Sequence, residues 1–277
     1  MIKSKGNHVS LSSLVLGAFQ TNCYIYTRDS HAIIIDPGDG SSEIFNLLSN
    51  CDHQNHSNNS IDKHLSIFLT HGHQDHIQAV PSICKKFSNC KIFASPNEKI
   101  LFKNNENPKN DSHTIFYKNK SKIKPNNTNN LKRINNFKIN NNIKNTQDHF
   151  QFDHNVIVKQ NNQDCHLDEF KNRFIYVKDG EILNCGQSQL QVLVIEGHTP
   201  GSVALYSPYD ELVFVGDTIF KGNIGDAKSE GSNFWKLIEN LKKKILTLPP
   251  KTRILPGHGP ETTVEYELAN NPFLQKK

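Results

Sequence analysis

The run Thr70-His71-Gly72-His73-Gln74-Asp75-His76 constrains this chain more than any other stretch of it. Imidazoles and a carboxylate crowded this closely are poor material for an apolar core and good material for a divalent metal. Ahead of the run, Leu65-Ser66-Ile67-Phe68-Leu69-Thr70 is rich in β-branched and aromatic residues and reads as a buried strand. Behind it, the stretch from Ile77 to Phe87 places apolar residues on one helical face. Pro81 falls in its first turns, where a missing N–H is tolerated. The cluster thus belongs on a strand-to-helix loop, a usual place for a rigidly held site. Alternate residues leaving a strand point the same way, so His71 and His73 can close on one ion. Asp75 and His76, further along, are directed to a neighbouring position, and the spacing suits two adjacent metals better than one. The competing reading is a solvated histidine-rich loop, because histidines are scattered elsewhere, at His53, His56, His113, His149 and His154.

Three downstream segments share one organisation. Val192-Leu193-Val194-Ile195 reads as a strand ending in Glu196-Gly197-His198-Thr199-Pro200-Gly201. Leu212-Val213-Phe214-Val215 ends in Gly216-Asp217-Thr218, and Thr252-Arg253-Ile254-Leu255 ends in Pro256-Gly257-His258-Gly259-Pro260. Each sets one metal-competent side chain just past an apolar run, beside glycines that let the backbone turn sharply. An isolated Gly-His or Gly-Asp is more often turn chemistry than coordination. Joined to the first cluster, these segments complete a set of seven donors, enough for two metals sharing a carboxylate.

Thr70 to His76, Gly197 to Gly201, Gly216 to Thr218 and Pro256 to Pro260 together resemble the metallo-β-lactamase fold superfamily, and within it the glyoxalase II (hydroxyacylglutathione hydrolase)-like group. Thr21-Asn22-Cys23-Tyr24, Ile35-Asp36-Pro37-Gly38 and Asn271-Pro272-Phe273-Leu274 extend the likeness over roughly residues 10–102 and 174–275. The resemblance implies an α+β chain folded as an αββα sandwich, two mixed β-sheets flanked by helices. It implies that His71, His73 and His198 hold one metal, that Asp75, His76 and His258 hold a second, and that Asp217 bridges them. Zinc is the expected ion, with iron or manganese equally acceptable to histidine and carboxylate.

Two such ions about 3.5–4 Å apart can hold a bridging water and lower its pKa from 15.7 toward about 7. Hydroxide is then available without a separate general base, and no Ser/His/Asp or Cys/His pair is otherwise evident. Asp75 would bind the second metal and orient the nucleophile, which makes it the expected catalytic residue. A thiolate leaving group needs little protonation at neutral pH, so a small-molecule thioester, S-lactoylglutathione or a relative, is the expected substrate. Glyoxalase II proper carries a further C-terminal helical domain supplying basic residues, which is not expected here because the chain ends soon after His258. The small relatives usually carry an Arg and an Asp after the bridging aspartate, whereas this chain reads Lys221-Gly222-Asn223-Ile224-Gly225-Asp226-Ala227-Lys228. The rival functions are a persulfide dioxygenase with one iron on His71, His198 and Asp217, a phosphodiesterase of the same fold, and a binding module without activity.

Only 35% of the 277 residues are hydrophobic, and the deficit is local. From about Lys103 to Asp168 the chain is dominated by Asn and Lys, without a steady apolar period. Such composition cannot repay the entropy of ordering, so a mostly disordered, low-complexity insertion (103–168) is expected within a single domain spanning 1–277. The formal charge of +5 shows no basic stripe interleaved with aromatics, which argues against a nucleic-acid partner. Cys23, Cys51, Cys84, Cys90, Cys165 and Cys185 form no Cys-x-x-Cys pair and suit free thiols in a reducing compartment. Without a run of 18 apolar residues no membrane span is expected, and the cytosol is the expected location, with organelle import open.

Further expected elements are strands over Leu11–Phe19, Thr21–Tyr26, Ala32–Ile35, Lys91–Ala94, Arg173–Val177, Gln191–Ile195 and Ser202–Tyr206. Helices are expected at Ser42–Ser49 and Asn233–Leu246, with Trp235 read as packing at an interface.

Overall fold

Strands buried on both faces decide the architecture. In the computed structural model, which describes residues 9–54, 64–98 and 167–275 and the side chains of all of these but 50–54, the first sheet holds β1 (Val9–Leu16), β2 (Thr21–Arg28), β3 (His31–Ile35), β4 (Leu65–Phe68), β5 (Lys91–Ala94) and β6 (Phe174–Tyr176) in sequence order. The second holds β7 (Ile182–Cys185), β8 (Ser188–Val194), β9 (Val203–Ser207), β10 (Leu212–Gly216), β13 (Arg253–Pro256) and β14 (Thr262–Thr263), in the order β14-β13-β10-β9-β8-β7. A small ribbon, β11 (Ile219–Phe220) with β12 (Asn223–Ile224), stands apart. The helices are α1 (Ser41–Gln54), α2 (Gln74–Ile77), α3 (Val80–Lys86), α4 (Phe234–Asn240) and α5 (Val264–Asn270).

Side chains alternate across a strand, and the alternation sorts the apolar residues into three layers. Cys23 and Ile25 of β2, with Ala32 and Ile34 of β3, face a cluster completed by Ile44, Leu48, Val80 and Ile83 of α1 and α3. Their neighbours Tyr24, Tyr26, Ile33 and Ile35 face the opposite way and meet Val203, Leu205, Leu212 and Phe214 of the second sheet. Ala204, Tyr206, Val213 and Val215 then turn outward to Leu237, Ile238 and Leu241 on the helical side of that sheet. Helix, sheet, sheet, helix is the resulting order, the expected αββα sandwich. Uninterrupted runs such as Ile33-Ile34-Ile35 follow from it, because a sheet covered on both sides has no polar face.

Strand direction brings the loops together. The pairs β3–β4, β4–β5, β5–β6 and β10–β13 are parallel, while β8–β9 and β9–β10 are antiparallel. The carboxyl ends of β8, β10 and β13 therefore lie at one edge of the second sheet. Backbone bonds join this edge to the first sheet: the Val203 N–H donates to the Thr70 carbonyl at 2.8 Å, and the Asn22 N–H to the Gly257 carbonyl at 2.7 Å.

Several elements depart from expectation. The helix expected from Ile77 to Phe87 is α3, beginning only at Val80 with Pro81 in its first turn as expected, while the separate turn α2 takes up Gln74–Ile77 ahead of it. The helix expected to Leu246 is α-helical only to Asn240, and Leu241–Ile245 widens into a π-turn. β7 and α5 had no clear periodic signal: Ile182 at the edge of the sheet is exposed, and α5 buries a glutamate, Glu267, beside Val264. Trp235, expected to pack, is 78% exposed. Nearly all of the insertion expected over 103–168 lies outside the described residues; of its last two positions, Leu167 is buried in the core and Asp168 opens a short 3-10 turn. Among the described residues no helix is long and apolar enough to cross a membrane.

Candidate metal centre

Four strand ends supply the donors. Past β4 the chain runs through Thr70 into His71 and His73, and α2 then presents Asp75 and His76. His198 lies in the turn between β8 and β9, Asp217 follows β10 and His258 follows β13. All seven residues singled out in the sequence converge. His71, His73, His198 and Asp217 offer donor atoms that lie within 4.8 Å of one another, as do Asp75, His76 and His258.

In the first group the Nε2 atoms of His71 and His198 stand 3.0 and 3.2 Å from Nδ1 of His73. In the second, Nε2 of His76 and Nε2 of His258 are 3.3 Å apart, and Asp75 Oδ2 is 3.4 and 3.2 Å from them. Asp217 spans both groups. Its Oδ1 is 3.5 Å from His76 Nε2, and its Oδ2 is 3.3 Å from His258 and 4.0 Å from His198.

The far sides of the imidazoles fix their tautomers. His198 Nδ1 donates to the Asp226 carbonyl at 2.6 Å, and His258 Nδ1 to the Phe19 carbonyl at 3.1 Å, since a carbonyl can only accept. His76 Nδ1 meets Asp36 Oδ2 at 3.0 Å, and His71 Nδ1 meets Thr70 Oγ1, which itself donates to Asp36 Oδ2 at 2.6 Å. Each Nδ1 is thereby engaged on the outside, and Nε2 is the nitrogen turned inward, carrying the lone pair whenever the ring is neutral. Asp75 Oδ2 also accepts from Thr21 Oγ1 at 3.0 Å.

Electrostatics divide the two groups. Burial, with His76 and His73 adding repulsion, holds His71 well below the usual histidine range, and burial with His198 beside it brings His73 down to about 4. Burial also opposes charge on His76 and His258, but the Asp217 carboxylate outweighs it, raising His76 well above its ordinary value and His258 to about 10. The same contacts, against the opposing effect of burial, hold Asp217 well below the usual carboxylate range.

This donor set fits divalent metal. Donors at about 2.0–2.1 Å from a tetrahedral ion stand about 3.3 Å apart, and the separations here run from 3.0 to 4.0 Å around that value. Nε2 of His71, Nε2 of His198 and Nδ1 of His73 all turn toward one point, where a cation could use all three nitrogens. The buried Oδ1 of Asp217 has no hydrogen-bond partner, an orphaned acceptor at the point where a second ion would be shared. Close backbone approach makes the packing possible: a Cβ on Gly257 would stand 2.2 Å from Asp217 Oδ1, and one on Gly225 would stand 1.8 Å from the Asp217 carbonyl. His71 and His76 are fully enclosed, while Asp75 and His258 retain some exposure and mark the open side.

Two buried acids escaped the sequence reading of the site. Asp36 accepts from the Thr70 backbone N–H at 2.8 Å as well as from Thr70 Oγ1 and His76. Glu98 accepts from Gly72 and Thr199, each next to a ligand, and from Gly201 further along the His198 loop. Only the resemblance drew attention to Asp36, and nothing in the local pattern marks Glu98.

An αββα sandwich with a histidine-aspartate cage where its strand ends meet defines a class of metal-binding protein, and the comparisons give the family. The model of the metallo-beta-lactamase superfamily matches residues 16–140 and 162–258, so the chain belongs to that superfamily, whose members are generally metal-dependent hydrolases. A probable metallo-hydrolase of Bacillus subtilis, YqgX, is 47% identical over 96 residues, 35% of this chain and 45% of that protein. The hydroxyacylglutathione hydrolase GloC of Haemophilus influenzae is 25% identical over 271 residues, 97% of this chain and 100% of that one. Among solved structures, TTHA1623 in a di-iron-bound form superimposes with a TM-score of 0.62 at 25% identity, covering 95% of this chain and all of the other.

Proposed function

We propose that this chain is a binuclear thioester hydrolase of the hydroxyacylglutathione hydrolase type. His71, His73, His198 and Asp217 would hold one divalent ion, and Asp75, His76, His258 and Asp217 a second. The observation that carries this reading is the pair of complete donor groups meeting at one buried carboxylate, Asp217, whose Oδ1 has no hydrogen-bond partner. Bound there, the ions would supply hydroxide at neutral pH and Lewis acidity toward a carbonyl. The chain's own residues do the rest. Asp36, Thr70 and the Asp226 and Phe19 carbonyls hold the imidazoles in their ligating tautomers, and Asp75 sits at the open side, anchored by Thr21, where it would orient the nucleophile.

A thioester suits the site because its thiolate leaves without a general acid, and the full-length likeness to GloC supports the same substrate class. Iron is as acceptable as zinc to this donor set, and the di-iron form of TTHA1623 supports considering it. The four described cysteines with placed side chains are free, in keeping with a reducing compartment such as the cytosol.

Metal analysis run beside a panel of S-lactoylglutathione, other thioesters, phosphodiesters and glutathione persulfide tests this. Two metals per chain, thioester turnover, and its loss in His73→Ala and Asp217→Ala with the fold retained are expected. A single iron with oxygen uptake on the persulfide would assign a persulfide dioxygenase instead, and turnover of phosphodiesters alone would assign a phosphodiesterase.

A further inference from the structure

We propose that Glu98 is a positioning residue that clamps the loop carrying His71 and His73 to the loop carrying His198, and so sets the geometry of the first donor group. The inference rests on the metal-binding reading above. Glu98 lies just beyond β5, with its own N–H bonded to the Ser95 carbonyl at 3.3 Å, and it is 5% exposed. One carboxylate oxygen serves each loop. Oε2 accepts from the backbone N–H of Gly72, the residue between His71 and His73, at 2.9 Å. Oε1 accepts from the hydroxyl of Thr199, the residue after His198, at 2.5 Å and from the Gly201 N–H at 2.9 Å.

These two loops leave different sheets, so the carboxylate is a strut across the sandwich at the height of the first group. All three partners are donors, which matches a group that only accepts when ionised, and hydrogen bonds to a charged acceptor are the strong kind. The arrangement is locked from behind: Ser202 Oγ lies 2.7 Å from Thr199 Oγ1 and accepts the Thr199 N–H at 3.0 Å, and with the threonine proton given to Glu98, the serine hydroxyl can donate to Thr199 Oγ1 in turn. A Cβ on residue 201 would come within 2.6 Å of Glu98 Oε1, so glycine there is what admits the carboxylate. The second group is held by other hands, namely Asp36 behind His76, Thr21 on Asp75 and the Phe19 carbonyl behind His258. A clamp of this kind must therefore act on one group and spare the other.

Glu98→Gln keeps size and shape but turns an acceptor into an N–H donor facing donors. Cobalt(II) affinity, read by competition with a chelator and by the visible spectrum of the bound ion, is measured in two backgrounds. His258→Ala impairs the second group and reports on the first, and His73→Ala does the reverse. In the first background Glu98→Gln is expected to weaken cobalt binding by about 10- to 100-fold and to shift the spectrum. In the second, both should stay unchanged. Equal losses in both backgrounds would mark a merely structural residue and overturn the proposal, as would no loss in either. If Glu98→Gln does not fold, Thr199→Val removes one bond to the same oxygen and should cost the first group about threefold or more; an unchanged affinity there overturns the proposal as well. An unsubstituted chain that takes up no cobalt would fail the metal reading itself, an outcome distinct from a loss of selectivity.

Discussion

Tyr26 shows how a single side chain joins the two sheets by something other than apolar contact. It projects from β2 into the layer between them, where its ring meets Phe214 edge-on at 6.4 Å. Its hydroxyl donates to Asp210 Oδ2 at 2.6 Å, and Ser188 Oγ lies at 2.6 Å on the other side. Burial first, and the Asp210 carboxylate second, push the phenol up to about 12. The sign follows by linkage: an unfolded tyrosine ionises near pH 10, so between about 10 and 12 the folded chain keeps a proton that the unfolded chain has lost. The stability this group contributes is whole below about pH 10 and disappears as pH rises through about 12. Urea midpoints across that window should fall more steeply for the native chain than for Tyr26→Phe; parallel profiles would contradict the assignment. At this same scale the seven donors were legible in the sequence, because each sits beside glycine or in a dense cluster just past an apolar run. Asp36 and Glu98 were not. Their meaning lies in contacts made 34, 40, 26 and 103 residues away, which no local pattern records.

The elements convert those residues into a site through the way strands end. Gly216, Gly257 and Gly225 surround Asp217, and the Gly257 N–H donates to the Gly216 carbonyl at 2.8 Å, holding the ends of β10 and β13 in register beside the shared carboxylate. Past the β11–β12 ribbon, the Gly225 N–H donates to the Thr218 carbonyl at 3.1 Å, which folds the following loop back so that the Asp226 carbonyl reaches His198. A methyl group at residue 225 would overlap the Asp217 carbonyl, a backbone atom that cannot swing aside. Gly225→Ala should therefore displace Asp217 and the Asp226 carbonyl together. The expected result is a folded protein, destabilised by about 1–3 kcal/mol, with uptake of metal reduced at both donor groups. Stoichiometric, tight binding of two metals by this variant would show that the loop can yield without moving the ligands. The strands behind these loops were read correctly because sheets covered on both faces write continuous apolar runs into the sequence. Elements that bury little, such as β7 at the sheet edge and α5 with its internal glutamate, wrote no such run and were missed.

Across the whole molecule, the cage has a consequence for cohesion as well as chemistry. His71, His73, Asp75 and His76 belong to the first sheet's loops, and His198, Asp217 and His258 to the second's. Each donor group draws on both sheets, so an ion in either would cross-link the halves of the sandwich. Without metal the second group can still hold itself together, with His76 and His258 charged against Asp75 and Asp217. In the first group burial holds His71 and His73 uncharged, so they form no ion pair with Asp217 that could take the metal's place. Removing metal should thus loosen the molecule mainly at the His198 loop. A ligand that binds only the folded state stabilises by about 2.7 kcal/mol at a hundredfold excess over its Kd. At about 2–4 °C per kcal/mol for a chain of this size, each site would account for about 5–10 °C in Tm. Dialysis against a chelator is expected to lower Tm by that amount per metal lost, with zinc or iron restoring it, and His73→Ala should forfeit the increment of the first site alone. Hydrogen exchange should show the turn around His198 losing protection before the one around His258. A chain that binds two metals yet melts at the same temperature with and without them would mean that the sheets are already fully joined by their shared core.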